Sequence, residues 1–252
     1  DPATGHHEKF YDGPVVGGFT IQTDGSLLLF MEKGAIATWR DKDLRYIIDG
    51  LPGEEENRFN DVFADTRGRV FCGTMPMDTE RVSERRGTLY LLDTDTSVTP
   101  VLRNLGCSNG MGLTSDRKQM YFTDTMDKKI YRLDYDEETG SISNRQVFVD
   151  SAAEEGLGPD GMTVDAEGYV WSAQWGGACI IRYSPDGKED RRIPFPTRQV
   201  SSAIFGGEDY HDLYVTTAGG HDKTANGEDA GALFRVNPGV KGVPEFHSRV
   251  GI

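Results

Sequence analysis

A short unit recurs five times along this chain, and that self-similarity limits the fold more than any other feature. Each copy is an acidic turn followed by a β-rich run that ends in small or hydroxyl residues. The copies cover residues 24–29, 65–71, 116–122, 165–171 and 208–215, with steps of 41, 51, 49 and 43 residues between their first acidic positions. A propeller blade of four short strands takes about 40–50 residues. A second pattern trails the first. Strands such as 87–92, 129–133, 179–183 and 232–236 are followed by polar turns such as Asp136-Glu137-Glu138-Thr139-Gly140 and Ser184-Pro185-Asp186-Gly187. Tyr, Val, Ile and Phe alternate with polar residues, as in half-buried strands, and no long helical periodicity is present. Glu54-Glu55-Glu56 reads as a solvated loop.

The opening Asp1-Pro2-Ala3-Thr4-Gly5 resembles the turn at 136–140, and residues 6–11 then read as the outer strand that follows such a turn. Five repeats plus this half-unit predict a single all-β domain over residues 1–252, a six-bladed β-propeller whose first blade is incomplete, with its inner strands missing. A five-bladed ring with an N-terminal strap is the competing count.

Composition narrows the partners. The formal net charge of −14 disfavours nucleic acid and anionic membranes and suits a cation or a neutral small molecule. No apolar run reaches the roughly 20 residues that a membrane span needs. Cys72, Cys107 and Cys179 are sparse, odd in number and set among strand residues; they read as small buried hydrophobes in a reducing, cytoplasmic setting. The oligomeric expectation is a monomer or weak oligomer.

Motifs of other enzyme classes are missing: there is no GxSxG, no P-loop and no HExxH, and the five histidines are scattered. What remains is a set of amides and acids just ahead of successive first strands: Asn60 in Arg58-Phe59-Asn60-Asp61, Asn109 in Ser108-Asn109-Gly110-Met111, and Asp160 in Pro159-Asp160-Gly161-Met162. In a propeller such positions converge at one mouth of the central channel, and hard oxygens there suit Ca²⁺ or Mg²⁺. Any single Asn-Gly or Asp-Gly is more often a plain turn; three in register point to a site. Trp171 and Trp175 fit packing between blades better than a substrate mouth. Met111 and Met162 suit channel wall or core equally.

These runs, together with Cys72-Gly73-Thr74-Met75, Gly140-Ser141-Ile142-Ser143-Asn144-Arg145, Asp165-Ala166-Glu167-Gly168 and Phe205-Gly206-Gly207, resemble the gluconolactonase, regucalcin (senescence marker protein) and luciferin-regenerating enzyme family along essentially the whole chain. The resemblance implies a six-bladed propeller with one divalent cation in the channel, Ca²⁺ first and Zn²⁺, Mg²⁺ or Mn²⁺ as alternatives. It implies Asn109 and Asp160 as metal ligands, Asp160 also as the group acting on the attacking water, and Arg58, Asn60 and Asp78 as substrate contacts. The family often has Glu where Asp78 stands. A Glu ligand in a Glu-Gly-Pro motif, expected upstream of the Asp-Pro-x-Thr-Gly turn, has no counterpart in this chain; Asp12-Gly13-Pro14 mimics it but falls at the end of an outer strand. The implied function is a metal-dependent hydrolase opening a sugar-type lactone. The alternatives are ester or phosphotriester cleavage on the same fold, a non-enzymatic calcium- or partner-binding propeller, and an inactive truncated form.

Overall fold

In four of the five repeats the acidic residue closes its own turn. Asp24 Oδ1 accepts from Ser26 N (2.9 Å), Asp65 Oδ1 from Arg67 N (2.8 Å), Asp116 Oδ1 from Lys118 N (3.2 Å) and Asp165 Oδ1 from Glu167 N (2.9 Å). A carboxylate that satisfies the N–H two residues ahead reverses the chain without help from another element. In three of these turns the glycine takes a left-handed φ, +83° at Gly25 and +84° at Gly68 and Gly168.

In the computed structural model, which describes residues 1, 4–84, 86–220 and 222–252, these reversals join antiparallel strands into five sheets. Blade 1 holds β1 (Val16–Ile21), β2 (Leu27–Met31), β3 (Ile36–Arg40) and β4 (Asp43–Ile48). Blade 2 holds β5 (Asn57–Ala64), β6 (Val70–Pro76), β7 (Gly87–Leu92) and β8 (Val98–Leu105). Blade 3 holds β9 (Ser108–Leu113), β10 (Gln119–Asp124), β11 (Lys129–Tyr135) and β12 (Ile142–Asp150). Blade 4 holds β13 (Pro159–Val164), β14 (Val170–Gln174), β15 (Cys179–Tyr183) and β16 (Glu189–Pro194). Blade 5 has three strands, β17 (Val200–Gly206), β18 (Asp212–Thr217) and β19 (Leu233–Val236). Among the described residues no helix is long and apolar enough to cross a membrane.

Strand alternation builds the core between blades rather than within them. On β10, Met120 and Phe122 join blade 2, while Tyr121 joins blade 4. On β14, Val170 faces blade 3, while Trp171 and Ala173 face blade 5. Trp171 is fully buried edge-on to Phe205, with ring centroids 5.9 Å apart, so packing is its role. Met111 and Met162 are core residues of the same kind.

The six-blade count is corrected to five. The turn at the start of the chain forms as expected, with Gly5 N donating to Asp1 O (2.9 Å) at φ +72°, as Gly140 N does to Asp136 O (2.8 Å) at φ +72°. Pro2 and Ala3 of that turn lie outside the described residues. Residues 6–11 form no strand, because an outer strand needs a ladder partner and none runs beside them. Instead Phe10 and Tyr11 pack on Trp39, at centroid distances of 5.2 and 6.3 Å, and Tyr11 joins the cluster on the outward face of blade 1. This is the strap of the competing count. Inner strands pack in succession, β1 on β5, β5 on β9, β9 on β13 and β13 on β17, and no contact of that extent joins β17 back to β1 among the described residues. The C-terminal segment spans the ends: Gly242 bridges to Asp165 of blade 4, Ser248 to Gln22 of blade 1, and Arg249 N donates to Gly68 O of blade 2 (2.9 Å).

Glu54 departs from its expected solvated loop. It is buried and accepts from Tyr90 Oη and Asn57 Nδ2, each at 2.7 Å.

Candidate active site at the channel mouth

Every inner strand breaks register near its start: between Val16 and Gly18, between Phe59 and Val62, at Gly110 between Asn109 and Met111, between Pro159 and Met162, and between Val200 and Ser202. A bulge sets extra residues against the partner strand and re-aims their side chains. The repeat therefore brings Gly17, Asn60, Asn109, Asp160 and Ser201 to equivalent stations. Two glycines permit the close approach. A Cβ on Gly110 would lie 2.6 Å from Asp160 O and 2.7 Å from Met162 N, and one on Gly161 would lie 2.3 Å from Ser202 Oγ.

Arg58, Asn60, Asn109 and Asp160 are drawn together. Arg58 Nη1 donates to Asn60 Oδ1 and to Phe59 O, each at 2.9 Å. Asn60 Nδ2 crosses to blade 3 and donates to Ser108 O at 2.9 Å. Asn109 Nδ2 donates to Thr125 Oγ1 at 2.9 Å, and the Thr125 hydroxyl donates to Pro159 O at 2.7 Å. The Cys107 thiol sits between the two amides, 3.7 Å from Asn60 Nδ2 and 3.5 Å from Asn109 Nδ2. Burial, with Asp160 nearby, pushes this thiol up to about 12.

Asp160 is buried, and its pKa stands well above the usual carboxylate range. Desolvation is the main cause and the neighbouring Asp61 adds to it; the Gly161 N–H, the Asn109 side chain and Arg58 act against it. Asp61 shares the β5 bulge with Asn60 and is itself pushed up to about 6 by burial.

Among the described residues no three His, Cys, Asp or Glu side chains gather as a metal-binding group. The donors at this mouth are of another kind, one buried carboxylate and one amide. Among the described residues Asp160 forms no salt bridge, and Arg58 offsets only part of the cost of burying its anion. The Asn109 amide nitrogen is already bonded into the wall. One anionic and one neutral hard oxygen donor fit a divalent cation such as Ca²⁺.

Asp78 is not drawn in. It is exposed, and its carboxylate accepts from Glu80 N (3.0 Å) at the start of the 3-10 turn Thr79–Glu84. Asp12 is exposed and paired with Lys9 (2.5 Å), far from a ligand's role. Trp175, 40% exposed, flanks Gly158 beside Pro159. Towards the other end of the inner strands lies a cavity of about 430 Å³ lined by Phe63, Met111, Leu113, Val164, Glu245 and Phe246, and Glu245 there feels the charge of Asp61.

Sequence reasoning missed Asp61, Cys107, Thr125 and Ser201. Asp61 and Ser201 lie at the shared bulge station, which only the strand pairing reveals. Thr125 ends one of the recurrent hydroxyl-rich strand tails, Thr123-Asp124-Thr125. Cys107 carried no signal apart from its place beside Ser108-Asn109.

The model of the SMP-30/Gluconolactonase/LRE-like region matches residues 1–219. Pentonolactonase XacC of Haloferax volcanii is 48% identical, over 99% of this chain and 86% of its own length. Regucalcin of Bos taurus is 35% identical, over 93% of this chain and 81% of its own. The solved luciferin-regenerating enzyme superposes with a TM-score of 0.87 at 30% identity, covering 95% of this chain and 83% of that one. A calcium-binding protein, regucalcin, from Agrobacterium tumefaciens gives 0.81 at 29% identity, covering 92% and 79%. With its repeat, its propeller blades and the order of its motifs all in agreement, this chain belongs to the SMP-30/gluconolactonase/LRE-like family.

Proposed function

We propose that this chain is a lactonase that opens a sugar lactone with the help of one divalent cation, Ca²⁺ in the first instance, and that a pentonolactone is the substrate to try first. The observation that carries this reading is the convergence of Arg58, Asn60, Asn109 and Asp160 from three blades at one mouth. The likeness to Pentonolactonase XacC over nearly the whole chain supports the substrate class. The likeness to regucalcins supports calcium. Three buried free thiols are in keeping with a reducing compartment, and we place the protein in the cytoplasm.

Asn109 and Asp160 would hold the cation, which when bound would polarise the lactone carbonyl and offset charge developing on its oxygen. Asp160 takes a proton from the water as that water attacks the carbonyl carbon. A carboxylate that holds a cation is a weak base, and a cation that lowers the pKa of the attacking water would make up that deficit. The ring C–O bond then breaks, the ring oxygen regains a proton, and a hydroxy acid leaves. Arg58, half-buried above Asn60, binds the substrate's oxygens, and Asn60, tied to Ser108 O, fixes that guanidinium and lies beside it as a second substrate contact. Asp78 enters this scheme only as a rim contact.

The test is a panel of pentono- and gluconolactones, aryl esters and organophosphates, followed by proton release with and without CaCl₂. Lactone turnover that EDTA removes, and that Asp160→Asn lowers about 100-fold or more, is expected. Turnover of esters or phosphotriesters alone would move the assignment to those substrates. Full Ca²⁺ occupancy without any turnover would leave a binding protein.

A further inference from the structure

We propose that Thr125 is a positioning residue that decides which end of the Asn109 amide faces the channel; the inference deepens the lactonase reading and rests on it for its activity arm. The argument is one of proton counting. A threonine hydroxyl has one proton, and a peptide carbonyl can only accept. Thr125 Oγ1 lies 2.7 Å from Pro159 O, so its proton goes there. The same oxygen lies 2.9 Å from the Asn109 side chain, and with its proton committed it can only accept. The end of the amide that meets it must therefore be Nδ2. The second Nδ2 proton faces Cys107 Sγ, 3.5 Å away, on the side where the Asn109 side chain also holds down the Asp160 carboxyl. Both protons are thus directed at acceptors, and Oδ1 is the end that makes no bond to the wall among the described residues. A flipped amide would set Oδ1 against an oxygen with no proton to give and turn two N–H groups towards the cation.

The same hydroxyl ties blade 3 to blade 4, because the carbonyl it bonds belongs to the peptide unit leading into Asp160. Thr125 is itself held. It opens the 3-10 turn Thr125–Asp127, whose cap Asp124 accepts from Met126 N (3.1 Å) and also from Gly106 N and Cys107 N (each 3.2 Å). Thr125 N donates to Cys107 O at 3.1 Å. The orientation of Asn109 thus follows from backbone positions on both sides and not from the cation, so the site is set before any ligand arrives.

Thr125→Val keeps the shape and removes the hydroxyl; Thr125→Ser restores it. In calorimetric titration with CaCl₂, Thr125→Val is expected to lose about 10-fold in affinity while Thr125→Ser stays within about twofold of the parent. On a pentonolactone, Thr125→Val lowers kcat by a similar factor with KM little changed, and serine rescues it. A separate arm needs neither metal nor lactone: the Asn109 side-chain amide protons, followed by ¹⁵N–¹H NMR in EDTA, exchange slowly in the parent and in Thr125→Ser and quickly in Thr125→Val. Unchanged exchange in Thr125→Val overturns the proposal. So does parent-like Ca²⁺ affinity in Thr125→Val where the parent binds Ca²⁺. A parent that turns over no lactone, together with the expected exchange pattern, sinks the lactonase reading and leaves the Thr125 relay standing.

Discussion

Asp61 enters the channel beside Asn60 because the β5 bulge sets extra residues against the partner strand, and the carboxylate brings a charge that its surroundings oppose. Desolvation raises its pKa to about 6, only its own Val62 N–H pulls the other way, and its charge raises the pKa of Asp160 in turn. The sign of its effect on stability follows. In the unfolded chain the group ionises near 4, so between about pH 4 and 6 the folded protein keeps a proton that the unfolded chain has released. The stabilisation is complete below that window and is lost as pH rises through it. In EDTA, Asp61→Asn should flatten this slope and gain about 1–2 kcal/mol at pH 7.5, less than full desolvation implies because the side chain is partly open to the channel. Urea denaturation of both proteins at pH 4.5 and 7.5 checks it; parallel pH profiles would count against a raised Asp61. Asn60, Asn109 and Asp160 were legible from sequence because each lies five to seven residues ahead of the acidic turn residue of its unit. Asp61 was not, since a bulge depends on pairing that a single strand's residues do not reveal.

At the scale of the element, the inner strands must approach closely where the bulges lie, and glycine allows it. Gly110 is the sharpest case. A methyl group there meets the backbone of β13 at 2.6 and 2.7 Å, and backbone cannot rotate out of the way. Gly110→Ala is expected to cost about 1–3 kcal/mol in overpacking. It should also lower lactone turnover by at least about 10-fold, because the clash is with the carbonyl of Asp160 itself and pushes that residue away from Asn109. Denaturant midpoints and kcat separate the two effects. A variant that loses stability but keeps kcat would show that the spacing of β9 and β13 is not critical. The strands themselves were readable because Asp65, Asp116 and Asp165 announce their turns with an acid that bonds two residues ahead. Glu54 misled because its burial depends on Tyr90, 36 residues further on.

For the whole molecule, the question is what holds five blades together when, among the described residues, the first and last inner strands make no contact of the extent that joins the others. Hydrophobic clusters seal the four successive blade interfaces. On either side of the opening, Phe19, Ile21 and Ile204 stay between 45% and 57% exposed, so apolar burial does not close the circle there. Repeat length predicted blades but not this arrangement, because the segment that spans it carries no repeat of its own. That segment is the C-terminal stretch. Ser248 and Val250 are fully buried, Val250 N donates to Gln22 Oε1 (2.8 Å), and Ser248 Oγ shares a hydrogen bond with Thr20 Oγ1 (2.7 Å), each across more than 220 residues of chain. Val250 also packs into the cluster between blades 1 and 2. Removing residues 243–252 should therefore cost about 3 kcal/mol or more, from one buried aliphatic side chain and several orphaned hydrogen-bonding groups. It should also open blade 1 to protease first, since blade 1 would then be held by one neighbour alone. Urea unfolding and timed proteolysis with mass mapping read both effects. An unchanged midpoint with uniform cleavage would mean that blade stacking alone carries the ring.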